Sequence, residues 1–580
     1  TWQHWWDFNQ DGHLRLRDAV VHDTFTGSDD YYLGSTRRLE TRQALVPSHE
    51  IVVGRVLPAL KNAVEVGPRD VTVAGMLAMA RIGVDHPEFR LFDVFTRRLA
   101  DSDQSTRETA AIAMGLAGSS DRRGLDMLIC LLRDDETGRR ATGTSVDVRT
   151  RSFAAYGLGL LANRTDSVDT KTKVFAALNA ILSDRELGNR DIRTATVQAI
   201  SLLDLDLHKY AGAKLAKEVL ACLDHYFDED LGVGEEYIQA HCPTAIARLL
   251  DREHWSAEAY KERFAAILTG KPTDNRSPDR KNRRKSHAIA QSCALALGQL
   301  CLANTDGDEA KNADVRWSRV LLDAWHDHKD AQTRSFALLA IGQIGGAENR
   351  RVLLREFDKA SANIEQPWCA LALGLCCAGK DDRLVKEALL TEFRRSKNPE
   401  STGALAVALG LARCKEAASI VANRLLDGIS KETMAGALCQ GLALLGEPLA
   451  AAAVRQVIDD CERRPELLEK AAIALGKLGD QRIGDSLLQR LACGEPNYAM
   501  QVAVSTALAD VGDRRQVAAL VEVLADTHRS AITRAGAAKA LGGIADQRRL
   551  PWNTPLRANA NYRANVDTFT DRFAGVLDLR

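Results

Sequence analysis

One phrase recurs along this chain: an Ala-rich stretch closes on Ala-Leu-Gly-x-apolar-Gly, an acidic residue and an arginine follow, and a second amphipathic stretch begins. It reads TAAIAMGLAGSSDRRGLDMLICLL, FALLAIGQIGGAENRRVLLREF, CALALGLCCAGKDDRLVKEALL, KAAIALGKLGDQRIGDSLLQRL and VAVSTALADVGDRRQVAALVEVL in successive places. The anchor position falls at Gly298, Gly342, Gly374, Gly410, Gly441, Gly476, Ala509 and Gly542, at spacings of 44, 32, 36, 31, 35, 33 and 33 residues. Earlier members sit at Gly115, Gly159 and Ser201. A period in this range builds a solenoid in which each unit buries its apolar face only against its neighbours.

The phrase carries its own physical reasons. Small residues around the anchor let the second helix of each pair lie close to the next, and a glycine near its C-terminus supplies a left-handed turn. The acids that follow (Asp382, Asp480, Asp513) are placed to cap the next helix. The arginines after them (Arg383, Arg482, Arg514) are expected to ladder with acids of adjacent repeats. The hydrophobic share is 45% while aromatics make up 5%, so the core is built from Ala, Leu, Val and Ile, which suits closely spaced helices. Helix pairs counted from Ile51 to Ala545 number 12 to 13.

The stretch GDRRQVAALVEVLADTHRSAITRAGAAKALGGIAD resembles a HEAT repeat of the phycobilisome-lyase-like subtype, and the resemblance covers roughly residues 50–548. It blurs between 205 and 285. It implies an all-α fold, an α-solenoid of 12–13 HEAT-like helix pairs wound as a right-handed superhelix. WQHWWDFN at the front and NYRANVDTFT…GVLDLR at the back resemble the end signatures of an uncharacterised planctomycete family of HEAT-repeat proteins. That resemblance implies an exported protein, with Thr1 soon after a disordered linker; a cytoplasmic one is the alternative. No activity comes with it. The expected organisation is an aromatic-rich cap over residues 1–50, the solenoid over 51–548 and an irregular tail over 549–580 that lies back on the last repeats or reaches a neighbouring copy.

Inside the front motif, DFNQDGHLRLRD spells a calcium loop of the EF-hand type. Asp7, Asn9, Asp11, the His13 carbonyl and Asp18 stand at ligand positions, Gly12 at the turn and Leu14 at the apolar position. The related family keeps a Pro where Gly12 stands, which would not form this loop, and EF-hand loops usually work in pairs. The competing reading is structural: Trp2, Trp5, Trp6 and Phe8 cover the open apolar end of the first repeat, as terminal repeats require. Calcium is therefore the one candidate cofactor, and the aromatic cap is the reading the residues favour.

Other chemistry is sparse. HEAT repeats host a di-iron enzyme type held by repeated His-Glu dipeptides, but His49-Glu50 is the single such pair here. His326 and His328 form a loose pair best read as a solvated loop. No GxSxG, P-loop or GxGxxG occurs, so the chain reads as no enzyme. Twelve cysteines lie mostly in apolar stretches without CxxC spacing, as buried free thiols do, with disulfides the alternative in an exported protein. The strongest charged feature is KPTDNRSPDRKNRRKSH (271–287), where Lys271, Arg276, Arg280, Lys281, Arg283, Arg284 and Lys285 oppose Asp274 and Asp279. It is a candidate polyanion or nucleic-acid grip, or a solvated loop, since no aromatic residue interleaves to stack bases. A second, milder basic insertion spans 138–151. Over the whole chain 77 basic residues meet 78 acidic ones, which disfavours nucleic acid as the main partner. No apolar run is long enough to cross a bilayer. The expectation is a non-catalytic scaffold that binds proteins, itself included, through an extended surface.

Overall fold

The computed structural model describes residues 1–21, 45–118, 122–184, 186–232, 234–270, 286–302, 314–361, 364–461, 463–494, 497–571 and 575–579. Among them there is no strand, and thirteen helix pairs follow one another from Leu57–Val66 with Arg69–Ile82 to Val517–Ala525 with Ala531–Ala545. The protein is an all-α solenoid of HEAT-like pairs, as the repeat predicts. In each pair the two helices differ in kind. The second is apolar nearly all round and buried, as in Pro399–Leu411, whose residues from Ser401 onward are all buried. The first is amphipathic, as in Arg122–Arg133, which buries Leu125, Leu128, Leu131 and Leu132 on one side.

The anchor glycines do what the phrase demands. They lie inside the second helices, against the backbone of the next one. A Cβ on Gly159 would meet Ala199 Cα at 2.6 Å, on Gly298 Ala340 Cα at 2.9 Å, and on Gly374 Ala408 Cα at 2.8 Å. The left-handed turn falls to the later glycine of the phrase: Gly345 has φ 70° and Gly479 φ 83°. Asp382 caps its helix by accepting from the Val385 N–H at 3.0 Å, and Asp513 forms a capping box with Gln516. A further cap is written at the start of second helices as Asp-x-x-Thr. Asp103, Asp147 and Asp330 each accept both the N–H and the hydroxyl of Thr106, Thr150 and Thr333. The expected arginine ladder is built from other residues than the repeat phrase indicates. Arg383 pairs within its own helix with Glu387 at 2.6 Å, while the cap Asp382 is held by Arg350 of the preceding repeat at 2.7 Å and Asp480 by Arg455.

The chain divides into two compact units. The first comprises residues 1–9, 147–413 and 555–579; the second comprises 10–146 and 414–554. In the second unit the last repeat packs on the first, along the helices Arg69–Ile82 and Ala531–Ala545. Gly542 is the closest approach: a Cβ there would stand 2.5 Å from Ala78 Cα. The first repeat therefore has no open apolar end for the aromatic residues to cover. Trp2, Trp5 and Trp6 are buried in the other unit, where helix Trp2–Asn9 lies on Gln366–Cys376 and both Trp2 and Gln3 donate to Glu400 at 3.0 and 2.7 Å.

Candidate functional site: terminal segments on the second helices

In the first unit, the second helices Val148–Asn163, Arg190–Ile200, His241–Leu249, His287–Leu300 and Ala331–Ile344 present a face occupied by residues 555–579. This part of the tail crosses the middle repeats, while its start, residues 549–554, stays on the last ones. Two of its backbone carbonyls are taken by groove side chains: Arg248 donates to Ala558 O at 2.8 Å and His241 Nε2 to Ala564 O at 2.9 Å. Each of these is oriented from its own side of the groove. Gln198 donates to His241 Nδ1 at 2.9 Å, which fixes the proton on Nε2, and Arg248 also donates to Ser201 Oγ at 2.7 Å. Burial lowers the pKa of His241 to about 4 against the favourable bond to Ala564, and burial brings Arg248 down to about 10.

Two polar–aromatic dipeptides anchor the tail. Asn561 is fully buried and donates to Ala288 O at 2.8 Å and to Ser292 Oγ at 2.9 Å. Tyr562 beside it stacks on Phe8 with centroids 5.6 Å apart and meets Phe336 edge-on at 5.6 Å. Seven residues on, Thr568 donates through its N–H and hydroxyl to Asp191 Oδ1 at 3.2 and 2.9 Å. Phe569 is buried between Tyr156, stacked at 6.0 Å, and His241, edge-on at 5.7 Å. Asn559 bridges its N–H to Asn9 Oδ1 and its own Oδ1 to Gln343, both at 2.8 Å.

In the second unit, residues 10–21 and 546–554 meet on the same kind of face. Asp546 accepts from Arg548 at 2.9 Å and Arg81 at 3.3 Å, and Arg17 donates to the carbonyls of Gly543 and Asp546. Burial alone would raise the Asp546 carboxyl, but Arg548 and Arg81 hold it below the usual range. These groups line a cleft of about 50 Å³ with Asp11, Asp510 and Arg549.

The residues of the calcium pattern are placed as follows. Asp7 and Asn9 lie in the helix Trp2–Asn9, and Gly12, His13 and Leu14 in the short helix Asp11–Leu14, after which Arg15 turns left-handed. Asp11 accepts from the Thr554 hydroxyl at 2.7 Å, and Asp18 faces Arg15 and Arg549 at 3.5 and 3.3 Å. Among the described residues no three His, Cys, Asp or Glu side chains converge as a metal site. The basic residues Lys271, Arg276, Arg280, Lys281, Arg283, Arg284 and Lys285 lie outside the described residues. In the milder insertion Arg139 pairs with Asp134 and Arg140 with Glu136, both acids just ahead of it, each at 2.8 Å. His326 faces Glu356 at 3.4 Å, whereas His328 Nδ1 accepts from the Asp330 N–H at 3.1 Å. Among the described residues no disulfide joins the cysteines, and nine of them are buried.

No family profile matches the sequence, and no curated protein is similar to it. Solved structures with a similar course of chain exist, all remote. Importin beta in an ammonium sulfate condition gives a TM-score of 0.36 at 12% identity over 92% of this chain and 74% of that one. The karyopherin Kap121p bound to the SUMO protease Ulp1p gives 0.33 at 12%, over 89% of this chain and 56% of that one, so this chain spans little more than half its length. Human deoxyhypusine hydroxylase in complex with glycerol gives 0.22 at 16%, over 67% and 95%.

Proposed function

We propose that this chain is a non-catalytic scaffold whose repeat surface binds other proteins. The observation that carries it is the tail itself: fixed side chains from successive second helices hold an irregular polypeptide through its carbonyls and two aromatic anchors. A surface that holds one irregular chain has the chemistry to hold another. Cross-linking followed by mass spectrometry on the chain isolated natively from its own cells tests this. A stoichiometric protein partner cross-linked to the repeats supports the reading; a lone chain with no partner contradicts it.

Self-assembly through the solenoid ends is the weaker variant, because the first and last repeats already cover each other. Binding of a polyanion or nucleic acid through the basic loop 271–287 is a separate proposal. Salt-dependent retention on heparin that disappears when the seven basic residues are neutralised would support it. Calcium at Asp7, Asn9, Asp11, His13 and Asp18 is likewise a proposal, and a melting midpoint unchanged between calcium and EDTA would sink it. Export stands on the resemblance of the chain's ends alone.

A further inference from the structure

We infer that the second-helix face of the first unit is a peptide-binding groove with the tail as its resident, exchangeable occupant. Its partner is an irregular segment carrying two polar–aromatic dipeptides seven residues apart. The inference rests on the scaffold reading above and names its site.

Three observations carry it. The groove is organised by its own contacts: Gln198 orients His241, and Ser201 accepts from Arg248, both independently of the tail. Such preorganisation lowers the cost of taking up a ligand. Two groove donors address main-chain carbonyls, at Ala558 and Ala564, so that part of the recognition is blind to side chains. Selectivity is left to the steps Asn561-Tyr562 and Thr568-Phe569, whose polar members meet Ser292 and Asp191 and whose rings meet Phe336 and Tyr156. Ala560 before the first step and Ala564 between the two are small, and Val566 is the larger apolar side chain buried between the steps, so the rings of Tyr562 and Phe569 supply the largest contacts of this stretch.

The test uses the full chain with a protease site inserted between Leu550 and Pro551, at the exposed 549–550 turn, cut after folding. A fluorescent peptide of residues 551–580 is then added, with circular dichroism monitoring the helices. The expected result is entry of one labelled peptide per chain, displacing the nicked tail, with affinity at least about tenfold weaker for a Tyr562→Ala/Phe569→Ala peptide. A nicked tail that never exchanges below the melting transition would make it a fixed part of the fold and overturn the inference. Loss of helicity on nicking would overturn it too. Neither result would touch the scaffold reading if a partner still cross-links elsewhere on the repeats.

Discussion

Gly542 of the last repeat lies against Ala78 of the first, so close that a Cβ would fall 2.5 Å from Ala78 Cα and 2.6 Å from its Cβ. The neighbouring atoms include backbone, which cannot swing aside. Gly542→Ala should therefore cost about 1–3 kcal/mol, the usual price of overpacking. Gly12→Ala, where nothing lies within 4 Å, should change stability by less than about 0.5 kcal/mol. Chemical denaturation of both variants checks the contrast.

Asp546 ties the same junction, between Arg81 and Arg548. Asp546→Asn should cost about 3–5 kcal/mol at pH 7, because two guanidiniums lose their buried partner. The folded-state pKa is depressed, so the stabilisation is complete above the ordinary carboxylate value and is lost as pH falls through the folded one. Unfolding free energies of wild type and variant should thus converge in acid. A gap that stays constant with pH would contradict the assignment.

His241 gives a second pH signature. Its pKa falls from 6.5 to about 4 on folding, so between those values the unfolded chain binds the extra proton and stability rises with pH. The slope should amount to about 3 kcal/mol across the window and vanish in His241→Gln. Unfolding midpoints from pH 4 to 7 measure it.

How much of this was legible in the sequence depends on what each residue contacts. The repeats were legible because anchor glycines such as Gly159, Gly298, Gly342 and Gly374 serve a neighbour about one period away, as Gly342 serves Ala372, so the constraint recurs and shows as a pattern. The Ala78–Gly542 contact was not, because it uses the same small residues as every other repeat junction and nothing marks its two members as partners. The tail was seen as irregular, but its destination rests on single contacts such as Asn561 with Ser292, which have no periodicity to reveal them. The calcium pattern is legible in the sequence only as spacing. Asp11 and Asp18 match a loop by spacing, yet their partners Thr554 and Arg549 lie at the other end of the chain.

The thiols make a further prediction. Cys493 is exposed, Cys130 and Cys222 are half-buried with burial raising both to about 11, and the other nine are buried. A thiol reagent at pH 8 should titrate one cysteine rapidly in the folded chain and the rest slowly or only on unfolding. Several fast thiols would contradict the burial described.

The last repeat covers the first, which under the proposed reading leaves the repeat surface to foreign partners. The native mass of the purified chain across a concentration series, by mass photometry, tests it most directly. The monomer mass is expected at every concentration. A ladder of multiples growing with concentration would contradict it, and would mean the chain is built to assemble with itself.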